Sequence, residues 1–168
     1  MLNNFSIRLV KHSELSDALI NQVIALKQQH WPYSYESQID WLNENLSQND
    51  YHLLITDTGG NLIAYMNLVN RRVNNEPILG IGNVCVNKDV LDNGVGTLLM
   101  HICKYYAKQL SLNLVLLCKQ DLVCFYNKCG FLKYENKVYI EDTFFDKCVM
   151  FSNCDYNLEK VIYINNNF

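Results

Sequence analysis

Between Val84 and Ala107 the sequence reads VCVNKDVLDNGVGTLLMHICKYYA, and its chemistry-bearing feature is the turn Asn93–Gly94–Val95–Gly96 where a strand-like stretch meets a helix-like one. Glycine costs a helix stability, so two of them at a helix start point to a backbone that must leave room for something. Peptide N–H groups at a helix start lack intrahelical partners and carry partial positive charge, which makes a phosphate the natural guest. Two nucleotide loops are excluded by residue type. A P-loop needs Lys and Ser or Thr directly after its last glycine, and Gly96 is followed by Thr97–Leu98. A dinucleotide fingerprint needs three glycines after the first strand of its domain, whereas this turn has two and follows the fourth strand. Close helix–strand packing would use the same glycines, so on these residues alone both uses stay open.

Other reactive side chains carry less. His12, His30, His52 and His101 show no metal-ligand spacing, and no metal is expected. The seven cysteines (Cys85, Cys103, Cys118, Cys124, Cys129, Cys148, Cys154) are odd in number, and several fall inside apolar segments such as NVCVN, HICKYY and LVLLCK. They read as buried thiols in a reducing compartment, with Cys85 in the core rather than acting as a nucleophile.

The elements around the turn follow from hydrophobic period. FSIRLV alternates like an edge strand, and Ser13 precedes a helical stripe of Leu15, Leu19, Val23 and Leu26 that ends near His30–Trp31–Pro32. SYESQIDWLNENLS reads as a shorter helix with Ile39, Trp41, Leu42 and Leu46 inward. YHLLITD and NLIAYMNLVNRRV are strands joined at Thr58–Gly59–Gly60, and NNEP turns the chain into ILGIGNVCVN. After the glycine turn comes a helix with Val95, Leu98, Leu99, Ile102, Tyr106 and Leu110 on one face. LNLVLLCK is a continuous apolar run, the pattern of a strand buried on both sides. DLVCFYNKCG reads as a short helix with Asp121 at the N-cap and Gly130 past its end; FLKYEN, FFDKCVMFS and KVIYINN read as strands. The order β, α, α, β, β, β, α, β, α and then β predicts an α/β fold with a mixed sheet and flanking helices.

At 168 residues, with about half of them apolar, net charge −3 and no repeat or linker, the chain is expected to form one domain over 1–168. Asn70–Arg71–Arg72 holds the one adjacent basic pair, which argues against a nucleic-acid or membrane-surface binder and leaves a small-molecule site. No basic start followed by an apolar stretch opens the sequence and no apolar run is long enough for a bilayer, so a cytoplasmic location is expected.

The turn L-D-N-G-V-G, Leu91 to Gly96, resembles the pyrophosphate loop Arg/Gln-x-x-Gly-x-Gly/Ala of the GNAT superfamily of acyl-CoA-dependent N-acyltransferases. A second feature at matching distance, CFYNKCGF from Cys124 to Phe131, is similar to that family's helix end, as is the strand–helix–strand–helix order between them. The resemblance implies a mostly antiparallel sheet with a V-shaped splay, helices on both faces, and acetyl transfer from acetyl-CoA to a primary amine. It assigns Leu91, Asp92, Asn93, Gly94, Val95, Gly96 and Thr97 to the diphosphate of coenzyme A, and the backbone of Val84, Cys85 and Val86 to the pantetheine arm. The Val86 N–H, or a neighbour, would face the thioester oxygen. Tyr126 falls at the position that meets the departing thiolate, as proton donor or hydrogen-bond donor. An amine must lose a proton before attack, and where the family often carries Glu or Asp this chain has Gly82 and Asn83, leaving Glu76 and Asp40 as candidate bases.

Leu91 replaces the usual Arg or Gln and Asp92 adds a negative charge. Together with the missing base, they keep open a second reading, an acyl-CoA-binding or interaction module without turnover. HLLITDTGGNLIAYMNLVNRRV, GNVCV and KVIYI also look like the arrangement in aminoglycoside 2'-N-acetyltransferases, and the net negative charge suits a cationic amine. A homodimer is compatible with all of this.

Overall fold

The computed structural model describes residues 4–152 and 160–168, and Cys154 lies outside the described residues. The strands are β1 (Phe5–Lys11), β2 (Tyr51–Asp57), β3 (Leu62–Val73), β4 (Glu76–Val86), β5 (Leu114–Cys118), β6 (Leu132–Lys133), β7 (Val138–Ile140), β8 (Thr143–Phe144), β9 (Cys148–Phe151) and β10 (Ile162–Ile164). The helices are α1 (Asp17–Gln28), α2 (Tyr35–Asn45), α3 (Val95–Gln109) and α4 (Val123–Lys128). The chain forms two compact units, residues 1–69 with 83–100 and residues 70–82 with 101–168; β3, β4 and α3 contribute to both.

In the first unit β1 pairs antiparallel with β2 from Phe5↔Asp57 to Lys11↔Tyr51, as the alternation of FSIRLV requires of an edge strand. β2 pairs antiparallel with β3, with a register shift between Ile55 and Thr56. Asp57 closes that hairpin, its carboxylate accepting from the N–H of Gly59 at 2.9 Å and of Asn61 at 2.8 Å. The helix start expected at Ser13 lies further on. Residues 12–14 form a 3-10 turn, and Ser16 caps α1 by accepting from Leu19 N at 3.4 Å. The core joins Val10, Leu15, Leu19, Val23, Leu26, Leu54, Leu62, Tyr65 and Cys85. In α2 Leu42 is buried as expected and Leu46, its C-cap, with it. Trp41 and Ile39 are half-buried, and Gln38 takes a buried place because its amide donates to Trp31 O at 3.1 Å.

In the second unit the strand order is β6-β9-β5-β4-β3-β10-β7-β8. β4 and β5 run parallel from Leu79↔Leu114 to Ile81↔Leu116, and β9 flanks β5 antiparallel, so the apolar run LVLLC is interior. β10 joins β3 at Ile164↔Val73 and pairs parallel with β7. The core gathers Val73, Ile78, Val115, Tyr134, Val138, Ile140, Val149, Phe151, Ile162 and Ile164. Three expectations are corrected. Asp121 lies in a 3-10 turn, Gln120–Leu122, and Leu122 rather than Asp121 precedes α4, without a side-chain cap. FLKYEN contributes only the two-residue β6, and FFDKCVMFS is divided between β8 and β9. KVYI supplies β7, a strand whose three residues are too few to show a period. Gly130 stands past α4 with φ +85, as a left-handed C-terminal position requires. An added Cβ there would come within 2.6 Å of Lys104 Nζ, which donates to Cys129 O.

Candidate functional site

The approach to the glycine turn is fixed by side chains. Asn87 N donates to Ile63 O at 2.8 Å, Asn87 Oδ1 accepts from Asp89 N at 2.9 Å, and Lys88 N donates to Gln29 Oε1 at 3.0 Å. A 3-10 turn over Lys88–Val90 follows, and Leu91 through Gly94 are exposed. Asp92 (φ +62) and Gly94 (φ +79) both take left-handed backbone, which Asp tolerates and Gly adopts freely. A Cβ built on Gly94 meets no atom within 4 Å. Packing therefore does not explain a glycine here; its φ and the open space beside it do. Buried Val95 anchors α3, whose first bond is Leu98 N to Gly94 O at 2.9 Å. Helix geometry leaves the N–H groups of Val95, Gly96 and Thr97 without an intrahelical acceptor. An anion held by backbone amides fits this turn, with Leu91, 46% exposed, adding only apolar surface.

Val84 is half-exposed, while Cys85 and Val86 are buried. Burial pushes the Cys85 thiol up to about 12, so it stays protonated and is no nucleophile. His30 Nε2 lies 2.7 Å from Val86 O. A carbonyl only accepts, so Nε2 carries the hydrogen and Nδ1 is left as the basic nitrogen. Asn83, just before this segment, has φ +51 inside a strand and donates from Nδ2 to Asn67 Oδ1 at 2.6 Å. The Asn67 Nδ2 group is buried with no hydrogen-bond partner among the described residues.

A cavity of about 290 Å³ in the same unit is lined by Lys27, Trp31, Tyr33, Ser37, Gln38, Trp41 and Asn83. Lys27 is only 2% exposed, its Nζ 4.5 Å from the centre of the Trp41 ring. Desolvation lowers its pKa to about 8, opposed by the nearby Cys85. Behind it His52 Nδ1 meets the Tyr65 hydroxyl at 2.8 Å, and His52 Nε2 meets His12 Nδ1 at 2.9 Å. Burial first, then the charge of His12, lower His52 to about 4; Asp50 pulls it up and Lys27 adds a smaller push down.

In the second unit Tyr126 is buried, 6% exposed, on α4, edge-on to Phe125 and Phe131. Burial, then Cys118 and Cys129, push its hydroxyl well above the usual phenol range, so it is a neutral donor. Glu76 is exposed and opens β4, three residues before the parallel pairing with β5 begins, whereas α4 and Tyr126 follow the other end of β5. The two catalytic candidates thus stand at opposite ends of the β4–β5 pair. Asp40 is exposed on α2. Lys27 and His30 were passed over in the sequence, although Lys27 continues the buried stripe as the fourth residue after Val23, which was the available signal. Among the described residues no cluster of His, Cys, Asp and Glu has metal-binding geometry, and no helix is long and apolar enough to cross a membrane.

A strand leads through an open, exposed turn into α3 within a mixed α/β sheet, and comparison with known proteins gives the class. The acetyltransferase (GNAT) family model matches residues 19–131, and the chain belongs to that family. No curated protein matches the chain. Among solved structures, an acyl-CoA N-acyltransferase from Pseudomonas aeruginosa is similar at TM-score 0.68 and 19% identity, covering 89% of this chain and 100% of that one. Escherichia coli ElaA is similar at TM-score 0.67 and 20% identity, with the same coverage. The GNAT-family N-acetyltransferase YhbS of Escherichia coli, solved in complex with CoA, is similar at TM-score 0.65 and 16% identity over 96% of this chain and 89% of that one. The fold expected from the sequence, a mixed sheet of the GNAT type, is the fold observed.

Proposed function

We propose that this chain transfers an acetyl group from acetyl-CoA to the primary amine of a small molecule by direct attack on the thioester. The observation that carries the reading is the exposed turn at the start of α3, where Gly94 has left-handed backbone and no neighbour in the space its side chain would fill. Backbone amides from Leu91 to Thr97 bind the diphosphate there, and they do so without the Arg or Gln side chain that Leu91 replaces. The backbone of Val84–Val86 pairs with the pantetheine arm, and the Val86 N–H is the donor assigned to the thioester oxygen. Tyr126 donates a hydrogen bond to the departing sulfur; its raised pKa makes complete proton transfer less favourable than that hydrogen bond.

The proton on the amine passes to His30. Its Nε2–H donates to Val86 O, which ties the ring to the segment assigned to the thioester and leaves Nδ1 as the acceptor. Glu76, at the far end of β4 from Asn83, is not needed for this step.

The test is thiol release from acetyl-CoA over a panel of amines. Wild type releases thiol with at least one amine; His30→Ala lowers kcat by about 10²-fold, the usual worth of a positioned base. Tyr126→Phe lowers kcat about tenfold and shifts acetyl-CoA affinity by less than about twofold, the pattern of a group used in the transition state. Binding of acetyl-CoA with no thiol release for any amine would make the chain a module that holds acyl-CoA without turnover.

A further inference from the structure

We infer that the cavity lined by Lys27, Trp31, Tyr33 and Trp41 receives a carboxylate, so that the acceptor amine is a small acid, of amino-acid size with an apolar or aromatic body. This rests on the acetyltransferase reading for the amine and on the geometry of the cavity for the carboxylate. Lys27 lies on the buried face of α1, yet its Nζ reaches the wall of the cavity with no carboxylate and no hydrogen-bond acceptor as partner among the described residues. The Trp41 ring attracts the ammonium through its π face and offers no lone pair to accept an N–H hydrogen bond.

The groups around Lys27 cannot serve as its counter-ion. Cys85 is a neutral thiol, and His52 is held neutral by burial. A pKa near 8 leaves Lys27 mostly protonated at neutral pH, an ammonium with no carboxylate opposite it among the described residues. An unpaired buried charge is strongly unfavourable unless something completes it, and a bound carboxylate supplies both the charge and the acceptor atoms. A cationic guest would meet like charge at Lys27, so an aminoglycoside-type polycation is the wrong complement.

Shape agrees with charge. At about 290 Å³ the cavity lies at the small end of ligand sites, and three of its seven lining residues, Trp31, Tyr33 and Trp41, are aromatic. Tyr33 and Ser37, both exposed, form its mouth. Two lining residues are chain neighbours of the proposed thioester site: Asn83 directly precedes Val84, and Trp31 directly follows His30, which holds Val86 O. The proposal seats an amino acid with its carboxylate on Lys27 and its amine toward His30.

Trp31 and Trp41 are the two tryptophans of the chain and both line the cavity, so tryptophan fluorescence, excited selectively over tyrosine, reports on it. Wild type is titrated with 3-phenylpropionate and with 2-phenylethylamine, which place a carboxylate or an ammonium on the same aromatic body. Saturable quenching by 3-phenylpropionate, at least tenfold tighter than by 2-phenylethylamine, is expected. Lys27→Met weakens the carboxylate by about tenfold or more, and Lys27→Arg retains it, as loss and retention of a charge partner require. Phenylalanine is also acetylated with a lower KM than phenylalaninamide. Equal binding of the two probes, no quenching by 3-phenylpropionate, or unchanged binding in Lys27→Met would overturn the inference. Tight carboxylate binding without thiol release from acetyl-CoA would leave the cavity assignment standing and retire the acetyltransferase reading instead.

Discussion

An ammonium at 2% exposure without a counter-ion opposes folding, and Lys27 shows by how much. Its pKa is about 8 in the fold and 10.5 as a free side chain. Between those values the unfolded chain binds the proton more tightly, so stability rises with pH across that window and the full penalty, about 3 kcal/mol, applies below pH 8. Lys27→Met is expected to raise the denaturation midpoint at pH 7, with the gain shrinking toward pH 10.5; an equal or lower midpoint at pH 7 would mean the charge is satisfied. A change that stabilises the fold while removing ligand binding marks a residue kept for function. His52 has the same sign in a lower window. Its pKa of about 4, against 6.5 when free, means the fold refuses a proton that the unfolded chain accepts. The stabilisation is complete above pH 6.5 and is lost as pH falls to about 4, worth roughly 3 kcal/mol. Denaturant titrations of wild type at pH 7 and pH 4.5 should show that loss, and His52→Gln should flatten it; equal slopes in the two proteins would place the acid sensitivity elsewhere.

At the scale of elements, the strands and helices near the site were legible because each repeats its period long enough to be read. The 15 residues of α3 and the unbroken apolar run of β5 are examples. The exceptions share a cause. Ser16 rather than Ser13 caps α1 because the chain first makes a 3-10 turn whose His12 N–H donates to Asp50 O, a contact set by strand pairing forty residues away. Leu122 precedes α4 because another 3-10 turn takes up Asp121. β6, β7 and β8 have two or three residues each, too short for any alternation to emerge. Asn83 looks like one more polar position of β4, and its left-handed φ shows only in the backbone.

Over the whole molecule, the family was readable from two motifs, L-D-N-G-V-G and CFYNKCGF, and from the element order between them, since both motifs are local and depend on backbone shape. The acceptor side was not readable. The cavity is assembled from α1, the stretch after it, α2 and β4, and no short stretch of sequence carries Lys27, Trp41 and Asn83 together. Overall charge favours a cationic acceptor, whereas the proposal above has the acceptor answer to Lys27, because a guest responds to a nearby charge more than to the net sum. All of the chemistry still depends on the turn at the start of α3. Calorimetric titration of coenzyme A into wild type and Gly94→Val tests it directly. Val at φ +79 is strained by about 1–2 kcal/mol and fills the open space with a branched side chain. The account predicts saturable binding by wild type and affinity at least tenfold weaker in a Gly94→Val protein that still unfolds cooperatively. Wild type that fails to bind coenzyme A, or a folded Gly94→Val that binds it equally well, would contradict it.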